Sequence, residues 1–536
     1  MDSVPRKTPR GRFRYVLLFL LFLGLLASRR SEQWISPQVW GEDGQIFSGF
    51  VSHGWHSFLE PVNGYLVCVP KVVSAVAMAV SVYYYPLLGT AVAGLFIASV
   101  GVATATAPTR LKGATLCAVS IFLIPTNPET FGVPLYTFWW ATLLLLLIAL
   151  WDEKQSLLAL RLPFVLAGGF SSPFILVVLP VLYFRALCYR KLAGEWIVAS
   201  LATCAGVIQY HFMSTGAAAA LPSLASMATY VIPKFCGWFL CGNLSSSPLL
   251  LWACGALVLV LVAGYCFLGR RDPTAWILAY LWCGAIASSI SRIDPSILHP
   301  SLAGPRYFFL PNILLFWILI QFAFKVNSVG LRIAAAACCV AGALNAGPVW
   351  TRRHDDLSWA EHVRSARLFA RYEVPIESDG NRFRTWSIKE DGSTWSELLR
   401  HDMLFTHLDK AALPTFAYRV VNETEGKGAK GMAAEGKDSP SSGEPSQSLI
   451  MPERDGKELL LSFRADGRVR YRSVSAGGAP SMEVVGHEQE FIQKLPITKD
   501  WVTLEFSNLT LPTQFSVRIK DAGHGLGEWE PVGAAD

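Results

Sequence analysis

Acidic residues are scarce over the first two-thirds of this 536-residue chain: residues 1–350 carry 22 Lys and Arg but only 11 Asp and Glu. Residues 351–536 reverse the balance, with 24 basic and 29 acidic side chains. Cysteine stops near the same boundary. All 11 lie at or before Cys339, so no disulfide staples the C-terminal part. Cys236 and Cys241 could pair, but buried small apolar side chains are the simpler reading. There is no CxxC and no clustered Cys/His spacing of the kind a zinc site needs. Patterns of the GxGxxG and P-loop type are also missing, which leaves no visible nucleotide-sugar fold. The basic excess of the first part needs no nucleic acid, because the cytoplasmic loops of membrane proteins collect Lys and Arg.

What the chain has in abundance is apolar length. It is 52% hydrophobic and 16% charged, with mean hydropathy +0.37, more apolar than a soluble domain. The first candidate span, 13–27, follows Arg6, Lys7, Arg10, Arg12 and Arg14. Ser28-Arg29-Arg30 is a poor cleavage context, so an uncleaved first helix with a cytoplasmic N-terminus is expected. Further spans are expected at 66–82, 87–107, 113–126, 133–150, 162–183, 195–212, 248–268, 274–290, 307–324 and 331–348, about eleven in all. Pro125 shortens the third of these ten into a half-helix, and "GGFSSP" offers the alternative that 156–184 is a hairpin of two half-helices. An odd number of spans puts "YFRALCYRK" (183–191), "GRRD" (269–272) and "FKVNSVGLR" (324–332) inside, as the positive-inside rule wants. It puts "TRLKG" (109–113) outside, against that rule. The segments 28–65, 213–247, 291–306 and everything after 349 fall on the outer face. The stretch 213–247 is amphipathic and aromatic, suited to lie on the membrane surface.

The domains expected are therefore 1–349, a transmembrane body, and 350–536, an extracytoplasmic, mainly β soluble domain. "ELLLSFRADGRVRYRSV" (458–474) and "WVTLEFSNLTLPTQFSVRI" (501–519) alternate apolar and polar residues around turn signals, the pattern of half-buried strands. "DDLSWAEHVRSARLFARY" (355–372) has helical spacing, with Ser358 and Glu361 in a capping-box relation. Residues 422–448 are poor in apolar side chains and rich in Gly, Ser, Lys and Glu, the composition of a disordered insertion.

The chemistry concentrates on the outer face. "WGEDGQIF" places Glu42 and Asp43 side by side in the first outer loop, with Glu60 further on. Glu-Asp-Gly is good turn chemistry and can cap a short helix over 45–54. It can equally supply a base: one carboxylate accepts a proton from an attacking hydroxyl while its neighbour orients it, holds the acceptor or binds a metal. Gly44, next to Asp43, leaves room for a sugar to approach. "SRIDPSILHPSLAGPRYFFLP" (291–311) contributes Arg292 and Arg306, able to grip a phosphate through charge-assisted forks or to anchor helix ends at lipid headgroups. Lys71, inside an apolar stretch, either snorkels to the outer interface or approaches the same phosphate. Tyr307 and the histidines His53, His56 and His299 are candidate contacts to phosphate or sugar.

An N-in first helix, an acidic outer loop, many spans and an amphipathic outer loop late in the bundle together resemble the GT-C superfamily of polytopic membrane glycosyltransferases. The elements that carry the resemblance are "WGEDGQIF", "PVNGYLVCVPK" and "AGPRYFFLP", within about residues 1–325. "NPETFGVPLYTFWW" (127–140) shares the family look without an assignable role, and the tail lies outside the resemblance. The resemblance implies a polyprenyl-phosphate-linked sugar donor, a glycan or lipid acceptor, and a first-loop carboxylate in catalysis, a role that falls on Asp43 or Glu42. It fixes no cofactor and leaves Mg2+ or Mn2+ open. A bacterial inner membrane is the expected location. Two other classes fit less of the pattern. A transporter or flippase of a lipid-linked glycan would show charges near the bilayer midplane and paired repeats. A glycan polymerase or acyltransferase is the third.

Overall fold

A computed structural model gives the fold of the chain. It describes residues 9–352 apart from 156, 214–227, 246, 292, 294 and 295; beyond these it describes 357, 359–366, 372–376, 386–405 and the strands from 416 onward. Residues 423–448 of the insertion expected at 422–448, Ser358 of the capping box, and Arg292 lie outside the described residues. The protein is an α-helical, multi-pass membrane protein. Among the described residues six helices are long and apolar enough to cross a bilayer: Tyr85–Thr106, Ala193–Met213, Pro248–Leu268, Pro273–Ile290, Pro305–Lys325 and Val329–Val349.

The chain forms two compact units. One comprises Met1–Ile35, Trp55–Ser74 and Gly89–Arg353; the other comprises Ser36–Gly54, Ala75–Leu88 and His354–Asp536. The first contains α1 (Pro9–Arg29), α2 (Ser31–Ile35), the short helices α6 (Ala114–Phe122), α7 (Thr137–Ala149), α8 (Leu158–Gly169) and α9 (Ile175–Cys188), and the long α10 (Ala193–Met213). After α10 come a π-helical turn over Val231–Gly237, α11 (Trp238–Cys241), α12 (Pro248–Leu268), α13 (Pro273–Ile290), α14 (Phe309–Lys325) and α15 (Val329–Asn345). In the second unit lie α3 (Gly41–His53), α16 (Trp359–Ala366), α17 (Gly392–Arg400) and the strands. Two helices, α4 (Cys68–Val80) and α5 (Tyr85–Thr106), run from one unit into the other.

Four expected spans come out differently, two of them by shrinking: 113–126 to the 9-residue α6 and 133–150 to the 13-residue α7. The segment 66–82 becomes the 13-residue α4, about 20 Å long and too short for a hydrocarbon core of about 30 Å. The segment 162–183 splits into α8 and α9 around 170–174, the hairpin alternative. Its two glycines serve close packing as well as the break. A Cβ on Gly168 would lie 2.7 Å from the Ala141 carbonyl oxygen of α7, and one on Gly169 would lie 2.9 Å from Ala205 of α10. Lipid tails give apolar helices little reason to associate, so such close approach is what holds a membrane bundle together. α7 and α14 are apolar on all sides and buried along nearly their whole lengths, forming the bundle's centre.

The loops of this unit gather at two ends. At the first, Thr109 bridges to Trp151 and the Asp152 amide donates to the Pro108 carbonyl at 2.8 Å. Arg110 bonds Glu153 and Tyr189, and Arg185 donates to the Trp151 carbonyl at 2.7 Å. The Lys112 amide donates to Gln321 at 2.8 Å, and Lys325 pairs with Asp272 at 2.9 Å. α5 runs antiparallel to α1, since Gly94 faces Leu26 whereas Gly101 faces Phe22. The start of α1 therefore points to this end too. "TRLKG" accordingly sits with the three other basic loops rather than opposite them.

At the second end, side-chain amides do the tying. Asn243 donates to the carbonyls of Pro125 (3.1 Å) and Asn345 (2.9 Å), and Asn345 donates to that of Trp238 at 2.6 Å. The Asn127 side chain donates to the Ser301 carbonyl at 3.4 Å and its backbone N–H to that of Pro300 at 3.2 Å, and Lys234 donates to the carbonyls of Ser296 and Leu298, both at 2.8 Å. These bonds bring 123–136, 231–245, 296–308 and 345–350 together.

In the second unit, α3 packs through Ile46 and Phe47. The Phe47 ring lies 5.2 Å from Tyr85, 5.8 Å from Trp359 and 5.6 Å from Trp395. The buried Asp402 carboxylate accepts from Ser81 Oγ and the Tyr83 amide, both at 2.8 Å. Strands β1 (Tyr372–Ile376) and β2 (Trp386–Glu390) form an antiparallel pair. Two four-stranded antiparallel sheets follow. One has β3 (Phe416–Asn422), β5 (Asp466–Arg472), β8 (Val502–Asn508) and β10 (Glu528–Pro531) in the order β10-β5-β8-β3. The other has β4 (Glu458–Phe463), β6 (Ser481–Val485), β7 (Ile492–Lys494) and β9 (Phe515–Lys520) in the order β4-β9-β6-β7. Each alternating stretch seen in the sequence thus contains two strands, β4 with β5 and β8 with β9, and each pair divides between the sheets instead of closing a hairpin.

Candidate functional site

The loop end of the bundle holds the densest polar cluster, centred on Arg306. Gly304, at φ +66°, turns the chain in a left-handed step that residues with side chains rarely adopt. The turn Pro305–Phe308 then starts with Pro at its first position. Facing it, Pro128 opens the turn Pro128–Thr130, and Gly132 at φ +70° reverses the chain. Together these turns bring Glu129 to Arg306. The Arg306 Nη1 donates to Glu129 Oε1 at 2.5 Å and to the Tyr136 hydroxyl at 2.9 Å, and that hydroxyl donates to the same carboxylate oxygen at 2.6 Å. Glu129 is fully buried and the Arg306 side chain is 19% exposed. The guanidinium lies 5.7 Å from the Tyr136 ring and 5.5 Å from Tyr307, whose ring meets Trp139 edge-on. This assigns a role to "NPETFGVPLYTFWW": it supplies the carboxylate, the phenol and an aromatic wall around Arg306.

Arg29, the last residue of α1, reaches the same segment. It is fully buried, with its guanidinium 4.8 Å from the Phe131 ring and 4.7 Å from Trp350. Nη2 donates to the Thr126 carbonyl at 2.8 Å, whereas Nε and Nη1 have no hydrogen-bond partner among the described residues. No carboxylate pairs with Arg29 among the described residues, in contrast to Arg306. Burying a guanidinium on one neutral hydrogen bond costs several kcal/mol, by order-of-magnitude estimate. Oε2 of Glu129, Oγ1 of Thr130 and the Trp139 indole nitrogen are further buried polar atoms without a partner among the described residues. Buried polar atoms such as these call for a partner: water, an ion or a bound ligand.

The other expected residues are dispersed. Lys71 is buried, but its ammonium donates to the carbonyls of Ser57 and Glu60, so it neither snorkels nor turns toward Arg306; it closes the 54–60 turn. His56 is exposed on that turn. His299 is half-buried on the loop before Arg306, stacked edge-on against Trp238 at 4.4 Å, with Nδ1 accepting from the Ser301 amide. Burial, and then the nearby charge of Lys234, hold its pKa below the usual 6.5.

Glu42, Asp43 and His53 belong to the second unit, on α3. Asp43 is 1% exposed in the helix's first turn, where a carboxylate is favoured by the helix dipole. Glu42 is half-buried and His53 exposed. The expected space beside Gly44 is absent: a Cβ there would meet Ile376 Cδ1 at 2.5 Å, so the glycine admits the β1–β2 pair instead of a sugar. Burial raises the Glu390 carboxyl, with Asp391 adding to the effect and a hydrogen bond from Ser48 of α3 opposing it. Nothing in the sequence singles Glu390 out. Among the described residues no three His, Cys, Asp or Glu side chains gather as a metal site.

No protein family profile, curated protein or solved structure matches the chain. The chemistry must therefore be argued from these residues.

Proposed function

We propose that the chain is an integral-membrane glycosyltransferase of the GT-C kind. It moves a sugar from a polyprenyl-phosphate donor to an envelope glycan or lipid acceptor. The observation that carries this reading is Arg29: a buried guanidinium between two aromatic rings, with two nitrogens free to donate and no carboxylate beside it among the described residues. A phosphate supplies the missing charge and accepts bidentate bonds. Arg306, already neutralised by Glu129, is better suited to shape the site than to carry the phosphate. In this scheme the acceptor hydroxyl attacks the anomeric carbon opposite the phosphate, with inversion. Its proton passes to a carboxylate base, the role that the GT-C resemblance gives to Asp43 with Glu42 as its neighbour. The C–O bond to phosphate breaks, and polyprenyl phosphate departs with the electron pair.

The grouping of all four basic loops at the opposite end supports a cytoplasmic N-terminus and an outer-facing loop end. The tail is then an exported β-rich domain that presents the acceptor.

The two short-helix pairs, α6–α7 and α8–α9, favour a second reading, since transporters use broken helices at their binding sites. Reconstituted protein separates the two. A glycosyltransferase releases free polyprenyl phosphate stoichiometrically with transfer and loses this in Asp43→Asn. A flippase moves intact donor across the bilayer and leaves the sugar–phosphate bond unbroken. The second result would overturn the proposal.

A further inference from the structure

The basic end contains a buried charge cluster that the proposed reaction does not use. Glu195, in the first turn of α10, receives two arginines. Arg161 of α8 contacts Oε1 at 3.0 Å, and Arg185 of α9 reaches Oε1 at 3.1 Å and Oε2 at 3.2 Å. Arg185 spends a further nitrogen on the Trp151 carbonyl. Arg161 does not: it is 2% exposed, yet its Nε and Nη2 have no hydrogen-bond partner among the described residues. Two guanidinium groups against one carboxylate leave one positive charge in excess.

The surroundings have the layout of a lipid contact. Leu157 and Leu160 at the start of α8, and Leu192, Trp196 and Ile197 around the start of α10, are exposed apolar side chains. The loop joining α9 to α10 adds exposed Arg190 and Lys191. Both α8 and α10 begin here, so their N-terminal dipoles add to the positive potential.

We propose that this cluster binds the phosphate of an anionic phospholipid. The phosphate lies against the free Nε and Nη2 of Arg161, and the acyl chains run along the exposed apolar side chains of α8 and α10. Charge complementarity selects the headgroup. The excess of one cation calls for one monoanionic phosphodiester, and the fork of Arg161 suits two of its oxygens. A zwitterionic lipid offers the same phosphate but brings a cation into a site already positive. The inference stands independently of the glycosyltransferase reading.

Native mass spectrometry of the delipidated full-length protein tests it, by titration with phosphatidylglycerol, phosphatidylcholine or inorganic phosphate. The wild type is expected to bind phosphatidylglycerol about tenfold tighter than phosphatidylcholine, whose choline cation meets a site already positive. Arg161→Gln removes that preference, and Arg190→Gln, on the exposed loop, keeps most of it. Arg161→Lys preserves the charge and loses the fork; it retains less than half of the preference and decides the matter if Arg161→Gln does not fold. Equal binding of the two lipids by the wild type, or full preference in either Arg161 variant, overturns the proposal. So does displacement of phosphatidylglycerol by millimolar inorganic phosphate, which would make the site one for a free anion.

Discussion

The two ends of the helical bundle are tied together by different chemistry. The basic end is closed by ion pairs between short loops and helix termini: Arg110 with Glu153, Arg161 and Arg185 with Glu195, Lys325 with Asp272. The loop end is closed by neutral amides, Asn243, Asn345 and Asn127, that bind carbonyls of long irregular segments. Two of its charged groups join in that tying, Lys234 through the carbonyls of Ser296 and Leu298 and Arg306 through Glu129. Arg306 is held by Glu129 and Tyr136, and Arg29 by a single carbonyl. Ion pairs at the first end fasten structure. At the second, neutral amides, Lys234 and the Arg306–Glu129 pair fasten the loops, and among the described residues no carboxylate pairs with Arg29, which leaves that guanidinium available for an anion.

If that contrast is right, substitutions of similar severity at the two ends have opposite signatures. The largest effect is expected from Arg29→Met, which keeps the volume between Phe131 and Trp350 and removes the charge. Transfer from a lipid-phosphate sugar should fall by about a hundredfold or more, as for lost electrostatic stabilisation at other sites. Thermal stability should hold or rise, because an uncompensated buried charge is gone. A stability loss with intact transfer would show that Arg29 belongs to the scaffold after all.

Glu195→Gln is the counterpart at the basic end. It leaves two buried arginines facing a neutral amide and should cost about 3–5 kcal/mol in denaturant unfolding, the range for breaking a buried pair. The surviving folded protein should turn over normally. Asn345→Ala comes next. It strips the bonds to the Trp238 and Phe239 carbonyls and the acceptor for the Asn243 amide. About 1–3 kcal/mol is expected, the cost of leaving buried polar groups unsatisfied. This variant should also loosen the loops around the site, raising KM more than it lowers kcat.

The smallest effect concerns pH. His299 is held below its usual 6.5 by burial and by Lys234. A lowered pKa means that the folded protein favours the neutral ring. The contribution is complete above the unfolded value and declines as pH falls below it, because the unfolded chain takes up the proton first. Unfolding curves between about pH 8 and pH 5 should therefore show a decline that His299→Gln flattens. An unchanged slope would mean that the imidazole is not shielded.

Much of the architecture was legible because apolar length and basic flanks are local properties. The ranges expected for α10 and for α12 through α15 agree with the structure to within a few residues, and so does the break at "GGFSSP". A short helix was legible at α3, but it begins at Gly41, so Glu42 and Asp43 lie inside its first turn instead of capping a helix over 45–54, and the use of its glycine was not legible. Ile376 and Ile388, which fill the space beside Gly44, lie more than 300 residues away in the chain. Glu129 and Tyr136 were visible only as part of an unassigned motif, since their meaning depends on Arg306, 177 and 170 residues further on. Arg29 read as an unfavourable cleavage context, and nothing local marks a terminal arginine as one that will be buried.

Composition and hydropathy by themselves determined that this is a multi-pass helical membrane protein whose chain changes character near residue 350. Those properties depend on transfer of each segment between water and lipid, and each segment carries that information alone. Tertiary structure decided which charges are spent and which are kept. A guanidinium is neutralised only by a carboxylate that the fold brings within about 4 Å. Among the described residues the fold brings Glu129 to Arg306 and Glu195 to Arg161 and Arg185, and brings Arg29 only a carbonyl and two aromatic faces.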